Sequence, residues 1–105
     1  MTTFAERRDA QETKFALDEE LRFRAVARRN RLFGRWAADR LGKAGAAAET
    51  YAEAIVVAGL AGDDDVVHKA ACDLTLGKVP LEEAELRQVL DELMVRATEE
   101  VKAGA

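Results

Sequence analysis

One cysteine, one proline and one histidine occur among 105 residues, and aromatic side chains make up only 6% of the chain. Each shortage excludes something. A lone cysteine, Cys72, cannot close an internal disulfide, so a disulfide-stapled scaffold is ruled out and a reducing cytoplasm is the expected setting. A lone histidine, His68, leaves too few soft ligands to close a zinc site. With one Trp and one Tyr, the core must be mostly aliphatic and rich in Ala. No glycine-rich phosphate loop and no Gly-x-Ser-x-Gly turn appears, so the chain is read as a non-enzyme without a cofactor. The longest apolar run, Ala54 to Ala58, is far too short to span a membrane. Met1 to Asp9 lacks the apolar stretch of a secretory signal, and a soluble cytoplasmic protein is predicted.

What is present is a normal globular balance, 49% hydrophobic and 34% charged, in a length that suits one domain over residues 1–105. The net charge of −4 hides an asymmetry. Residues 21–43 carry eight cations (Arg22, Arg24, Arg28, Arg29, Arg31, Arg35, Arg40, Lys43) against one anion, Asp39. Residues 1–20 and 44–105 are both net acidic. A nucleic-acid binder would favour a generally basic surface, so the acidic remainder counts against that class.

Abundant Ala, Glu, Leu and Arg, with Pro80 alone to interrupt them, predict an all-α four-helix bundle. The first helix is expected from about Thr3 to Leu41, with Thr3 and Glu6 as a capping box and Gly42 as its C′ residue. Phe4, Phe15, Val26 and Phe33 fall within roughly 40° of one another at helical spacing. This helix is uneven. Over residues 3–20 its apolar stripe is thin, with Ala10 and Ala16 as small companions of Phe4 and Phe15. From Leu21 on it thickens through Ala25, Val26, Leu32, Phe33, Trp36, Ala37 and Leu41. The second half can anchor in a core, whereas residues 1–19 are expected as a protruding or frayed arm on a bundle of residues 20–105.

Three shorter helices are predicted after it. Ala46 to Ala58 turns Ala48, Tyr51, Ala52 and Ile55 to one side. Asp63, Asp64 and Asp65 supply a cap and first-turn acids for Val66 to Leu76, closed by Gly77. Pro80 is placed at the N1 position of a last helix running to Lys102, with Leu86, Leu90, Leu93, Ala97 and Val101 as its stripe.

Four features are candidates for function. His68 and Cys72 share a helix face, but two ligands without a third favour a structural role, and no metal is expected. The Asp63–Asp65 run lacks the alternating spacing of a calcium loop and reads better as a helix start. Arg28, Arg29 and Arg31 form either a solvated face or an anion-binding face, since guanidinium pairs bidentately with carboxylate or phosphate. On the second reading an adenine nucleotide is the alternative ligand. Phe4 and Phe15 on an otherwise charged helix are either contacts within the bundle or anchors for a partner's groove.

Longer matches then become visible. Thr2-Thr3-Phe4-Ala5-Glu6-Arg7, Lys14-Phe15-Ala16, Asp18, Glu20-Leu21, Phe23 and Ala27-Arg28-Arg29-Asn30-Arg31-Leu32-Phe33-Gly34-Arg35-Trp36-Ala37-Ala38, with Leu41-Gly42-Lys43, closely resemble the ATPase inhibitor subunit zeta family of alphaproteobacterial F-type ATP synthases. Tyr51, Asp65-Val66, Lys69 and Asp73-Leu74 extend the resemblance over the whole chain. It implies a four-helix protein, peripheral to the membrane-bound synthase, that binds the catalytic head and blocks ATP hydrolysis. By that resemblance an N-terminal helix, here about Thr2 to Glu19, enters a catalytic alpha/beta subunit interface, with the gamma subunit as a further partner. Phe4, Arg7, Lys14 and Phe15 are the implied principal contacts, with Thr3 and Arg8 beside them. Leu17 stands where a histidine is common, which removes support for pH sensing there. Phe33 replaces a common leucine, and Arg35 lies where the family varies.

Overall fold

The proline-free stretch at the start of the chain forms one helix, α1, Phe4–Arg40. The computed structural model describes the backbone of residues 4–104 and the side chains of residues 19–104. Thr3, with the capping box assigned to it, lies outside the described residues. Three more helices follow: α2, Gly45–Ala58; α3, Asp63–Leu76; and α4, Glu83–Lys102. A 3-10 turn, Gly59–Ala61, links α2 to α3. No strand occurs among the described residues, and the fold is an all-α bundle.

α1 lies along both α2 and α4, and α3 packs across those two to close the bundle. The core is built where the α1 stripe thickens. Ala25, Phe33, Ala37 and Ala38 are buried from α1, against Tyr51, Ala52 and Ile55 from α2. Val66, Val67, Ala70 and Leu74 of α3 and Leu86, Leu90 and Ala97 of α4 complete it. Burying each of Phe33, Ile55, Leu74 and Leu86 contributes about 1.5–3 kcal/mol. Small residues set the α1–α2 separation: a Cβ at Gly34 would lie 2.6 Å from the Ala52 Cα, so only glycine fits there. Trp36 is half-buried rather than fully inside. It stacks on Phe33 at 5.5 Å between centroids, and the Arg40 guanidinium covers it 4.6 Å from the ring centre.

The helix ends confirm some expectations and correct others. Gly42 does terminate α1, with φ +75°, while the Lys43 N–H donates to the Ala38 carbonyl and the Gly42 N–H to that of Asp39. α3 starts at Asp63, not Val66, so its three aspartates occupy the first turn itself, where the helix dipole favours negative charge. Gly77 does not supply the left-handed residue after α3. Lys78 does, at φ +64°, with the Val79 N–H bonded to the Leu74 carbonyl. Gly77 is confined instead by packing, since a Cβ there would meet the Leu41 side chain at 2.5 Å. Pro80 is not the N1 residue of the last helix. The chain stays extended until Glu82, and Leu81 packs against the core just before it. Leu81 and Leu86 thus take the N′ and N4 positions of a hydrophobic staple, which fixes the start of α4 at Glu83.

Candidate functional site

The basic block of α1 faces carboxylates from every other helix. Arg28 pairs with Glu100 of α4 at 3.1 Å. Arg29 pairs with Asp63 of α3 at 2.6 Å. Arg31 reaches Glu53 of α2 at 3.2 Å and Glu49 at 3.8 Å, and Arg35 grips Glu49 through Nε and Nη2 at 2.8 and 3.1 Å. The Arg35 hydrogen bond holds the Glu49 carboxyl below the usual carboxylate range, and that same bond raises Arg35. The charge asymmetry of the sequence is therefore matched within the fold: one basic helix is clamped by three acidic ones.

Arg29 stands apart from its neighbours. Its side chain is 8% exposed, and it binds both oxygens of Asp63 while Nε and Nη2 donate to the Asn30 Oδ1 at 3.1 and 2.9 Å. Asn30 is itself buried, and no buried side-chain polar atom among the described residues lacks a partner. Helical phase carried this signal. Arg29 lies about 40° from Phe33 and Asn30 about 20° from Ala37, which puts both on the core side of α1. The Arg28, Arg29 and Arg31 set is thus brought together along one helix, but each member engages a carboxylate on a different partner helix. A phosphate bound there would compete with all three.

The arm stands differently. Phe4, Arg7, Arg8, Lys14 and Phe15 belong to α1, but their side chains, and Thr3 altogether, lie outside the described residues. What the structure defines is the root of the arm. Leu60 of the 3-10 turn lines a groove with Glu19 and Phe23, and Lys102, the last residue of α4, lines one with Leu21 and Ala25. The helices flanking α1 therefore end opposite residues 19–25.

The remaining candidates find local uses. His68 Nε2 and Cys72 Sγ lie 3.8 Å apart on the exposed side of α3, and no group of three His, Cys, Asp or Glu positioned to hold a metal occurs among the described residues. Asp63 and Asp64 bind Arg29 and Arg87, tying the start of α3 to α1 and α4. The Tyr51 hydroxyl donates to the Asp73 Oδ2 at 2.9 Å, and Lys69 shares that oxygen at 3.1 Å while its ammonium lies 5.5 Å from the Tyr51 ring centre. Burial, then the bond to Asp73, raises the Tyr51 hydroxyl above its ordinary range. No described helix is long and apolar enough to cross a membrane.

This arrangement has the parts of a binding protein: a helix clamped into a bundle along one half and continued beyond the ends of its neighbours. No individually curated protein matches the chain. The family profile described as ATPase inhibitor subunit zeta matches residues 1–100, a span that takes in the arm as well as the bundle. With nearly its whole length matched, and with the all-α fold that the resemblance implies, the chain belongs to the ATPase inhibitor subunit zeta family.

Proposed function

We propose that this chain inhibits ATP hydrolysis by the F-type ATP synthase, and that residues 1–19 are the inhibitory element, entering a catalytic alpha/beta subunit interface as a helix. The observation that carries the reading is the family match across residues 1–100, which includes the arm and not only the bundle. Two physical features support it. α1 runs unbroken from Phe4 to Arg40, so an arm seated in a partner is levered by a helix locked into the bundle. In the sequence, Phe4 and Phe15 are sparse apolar anchors on an otherwise charged stretch, the pattern of a helix that docks in a partner's groove.

The mechanism needs no chemistry from this chain. A rotary catalytic head opens and closes its interfaces in turn, and a helix wedged in one holds it at a fixed separation. Any ordering cost of the arm falls due on binding, which keeps the complex reversible. Charged Arg7, Arg8 and Lys14 then pair with carboxylates at the cleft, and the two phenylalanines fill apolar pockets.

Titration of the full-length protein against ATP hydrolysis by the cognate catalytic head tests this. Phe4→Ala and Phe15→Ala each raise the half-inhibitory concentration, by about tenfold if each anchor contributes on the order of 1.4 kcal/mol. Substitution of both phenylalanines with no change in inhibition would place the active element elsewhere.

A further inference from the structure

We infer that Arg29, Asn30 and Asp63 are positioning residues that lock α1 in one register: they fix its rotation and axial position in the bundle, and with them the direction in which the arm is presented. The inference rests on the inhibitor reading above and concerns how the bundle holds the arm. Among the described residues, Arg29 and Asn30 are the only buried charged or amide side chains, and they are neighbours on α1. The Arg29 guanidinium binds both Asp63 oxygens, through Nη2 at 2.6 Å and Nη1 at 3.3 Å, while Nε and Nη2 both donate to the Asn30 Oδ1. The Asn30 amide is seated against the 3-10 turn, where a Cβ at Gly59 would clash with its Nδ2. One polar cluster thus ties α1 to the turn and to the start of α3.

The core side of α1 has need of such a device. Of its buried apolar residues only Phe33 is large, and Ala25, Ala37 and Ala38 give a partner helix little shape to grip. Small side chains tolerate a helix turned or slipped by one residue better than a directional polar cluster does, because a slip leaves a buried cation and a buried amide without partners. An apolar side chain at position 29 would fill the space with no such penalty on wrong registers, so the cluster adds discrimination rather than strength. α1 is one helix from Phe4 to Arg40, and its phase at Arg29 is passed on to the arm. At about 100° per residue, positions 4 and 15 fall about 20° and 40° from position 29 around the axis. A slip of one residue would turn both by more than a quarter-turn from the core side, and the bundle would swing to a different side of a seated arm. Apparent affinity then falls by the fraction of molecules that hold the competent register.

The test uses full-length protein, the cognate catalytic head and the sole tryptophan, Trp36 of α1, as a reporter of helix phase. Arg29→Met combined with Asn30→Leu removes both buried polar groups and strands no charge, since Asp63 is 55% exposed. This variant keeps the helical circular dichroism and a melting temperature near that of the unsubstituted chain. It gives more than one Trp36 indole N–H resonance where the unsubstituted chain gives one. Its half-inhibitory concentration rises about tenfold, as a competent fraction of about one tenth requires. Asp63→Asn, at a half-exposed position, breaks the charge pair alone and weakens inhibition in the same direction; if the double variant loses its helices, Asp63→Asn decides. As a control, Leu90→Ala opens a cavity in the core and lowers the melting temperature, but leaves one indole resonance and unchanged inhibition while the protein is folded. Inhibition weakened as much by Leu90→Ala as by the lock variants assigns the cluster a merely structural role and overturns the inference. Unchanged inhibition by the lock variants, in an assay where the Phe4 and Phe15 variants are weakened, also overturns it and leaves the inhibitor reading standing. No inhibition by the unsubstituted chain overturns both.

Discussion

Arg28, Arg29 and Arg31 look alike in the sequence, and the fold gives them different work. Arg28 and Arg31 are partly exposed and pair with Glu100 and Glu53, the kind of contact that contributes at most about 1 kcal/mol. Arg29 is buried and serves two acceptors, Asp63 and Asn30. Arg29→Leu should therefore destabilise the bundle by about 1–3 kcal/mol, read as a lowered urea midpoint. The figure stays below that of a fully buried pair because Asp63 is 55% exposed and can rehydrate. Arg28→Leu should shift the midpoint far less. Tyr51 gives a pH signature. Its hydroxyl is raised above the ordinary tyrosine value, so the neutral form is favoured in the folded state. That contribution is fully present below about pH 10 and is lost as pH rises through the folded value. Urea midpoints should fall above about pH 10, and the fall should be smaller in Tyr51→Phe. As the only tyrosine in the chain, Tyr51 reports its own ionisation through tyrosinate absorbance.

At the scale of elements, periodicity located all four helices because each buries one face. The α1 stripe from Leu21 to Leu41, the Tyr51, Ala52 and Ile55 face and the Leu86, Leu90 and Ala97 face were all legible for that reason. The ends were less so. Pro80 suits the first turn of a helix on its own, but Leu81 packs against the core and the helix starts three residues later, at Glu83, a choice set by core contacts that the local sequence does not display. Gly77 followed by Lys78 looks like a glycine stop, yet Leu41 packs where a Gly77 side chain would be, and the left-handed position passes to Lys78. A lysine there costs about 1 kcal/mol or more relative to glycine. Lys78→Gly should therefore stabilise the protein by about 1 kcal/mol, a rise of about 4 °C or more in melting temperature by calorimetry. An unchanged or lowered melting temperature would show that the backbone there is not strained.

For the molecule as a whole, the sequence displayed a basic segment inside an acidic chain, and the structure shows why both are needed. Glu49, Glu53, Asp63 and Glu100 come from three helices and hold one. Composition could not assign those partners, since the choice depends on which helix lies against which arginine. Phe23 and Leu60 were illegible for the same reason: they are 37 positions apart and become one groove only when the 3-10 turn packs beside α1. The density of the apolar stripe made the anchoring part of α1 legible, since Ala25, Phe33, Ala37 and Ala38 are buried in the core. Anchoring belongs to residues from Leu21 onward, and the account assigns inhibition to residues 1–19. The direct measurement is the rate of ATP hydrolysis by the cognate catalytic head with the full-length chain and with residues 1–19 removed, after circular dichroism has shown that the shortened chain keeps its helices. The account predicts inhibition by the first and none by the second at matched concentration. Equal inhibition by both, or none by the full-length chain, would contradict it.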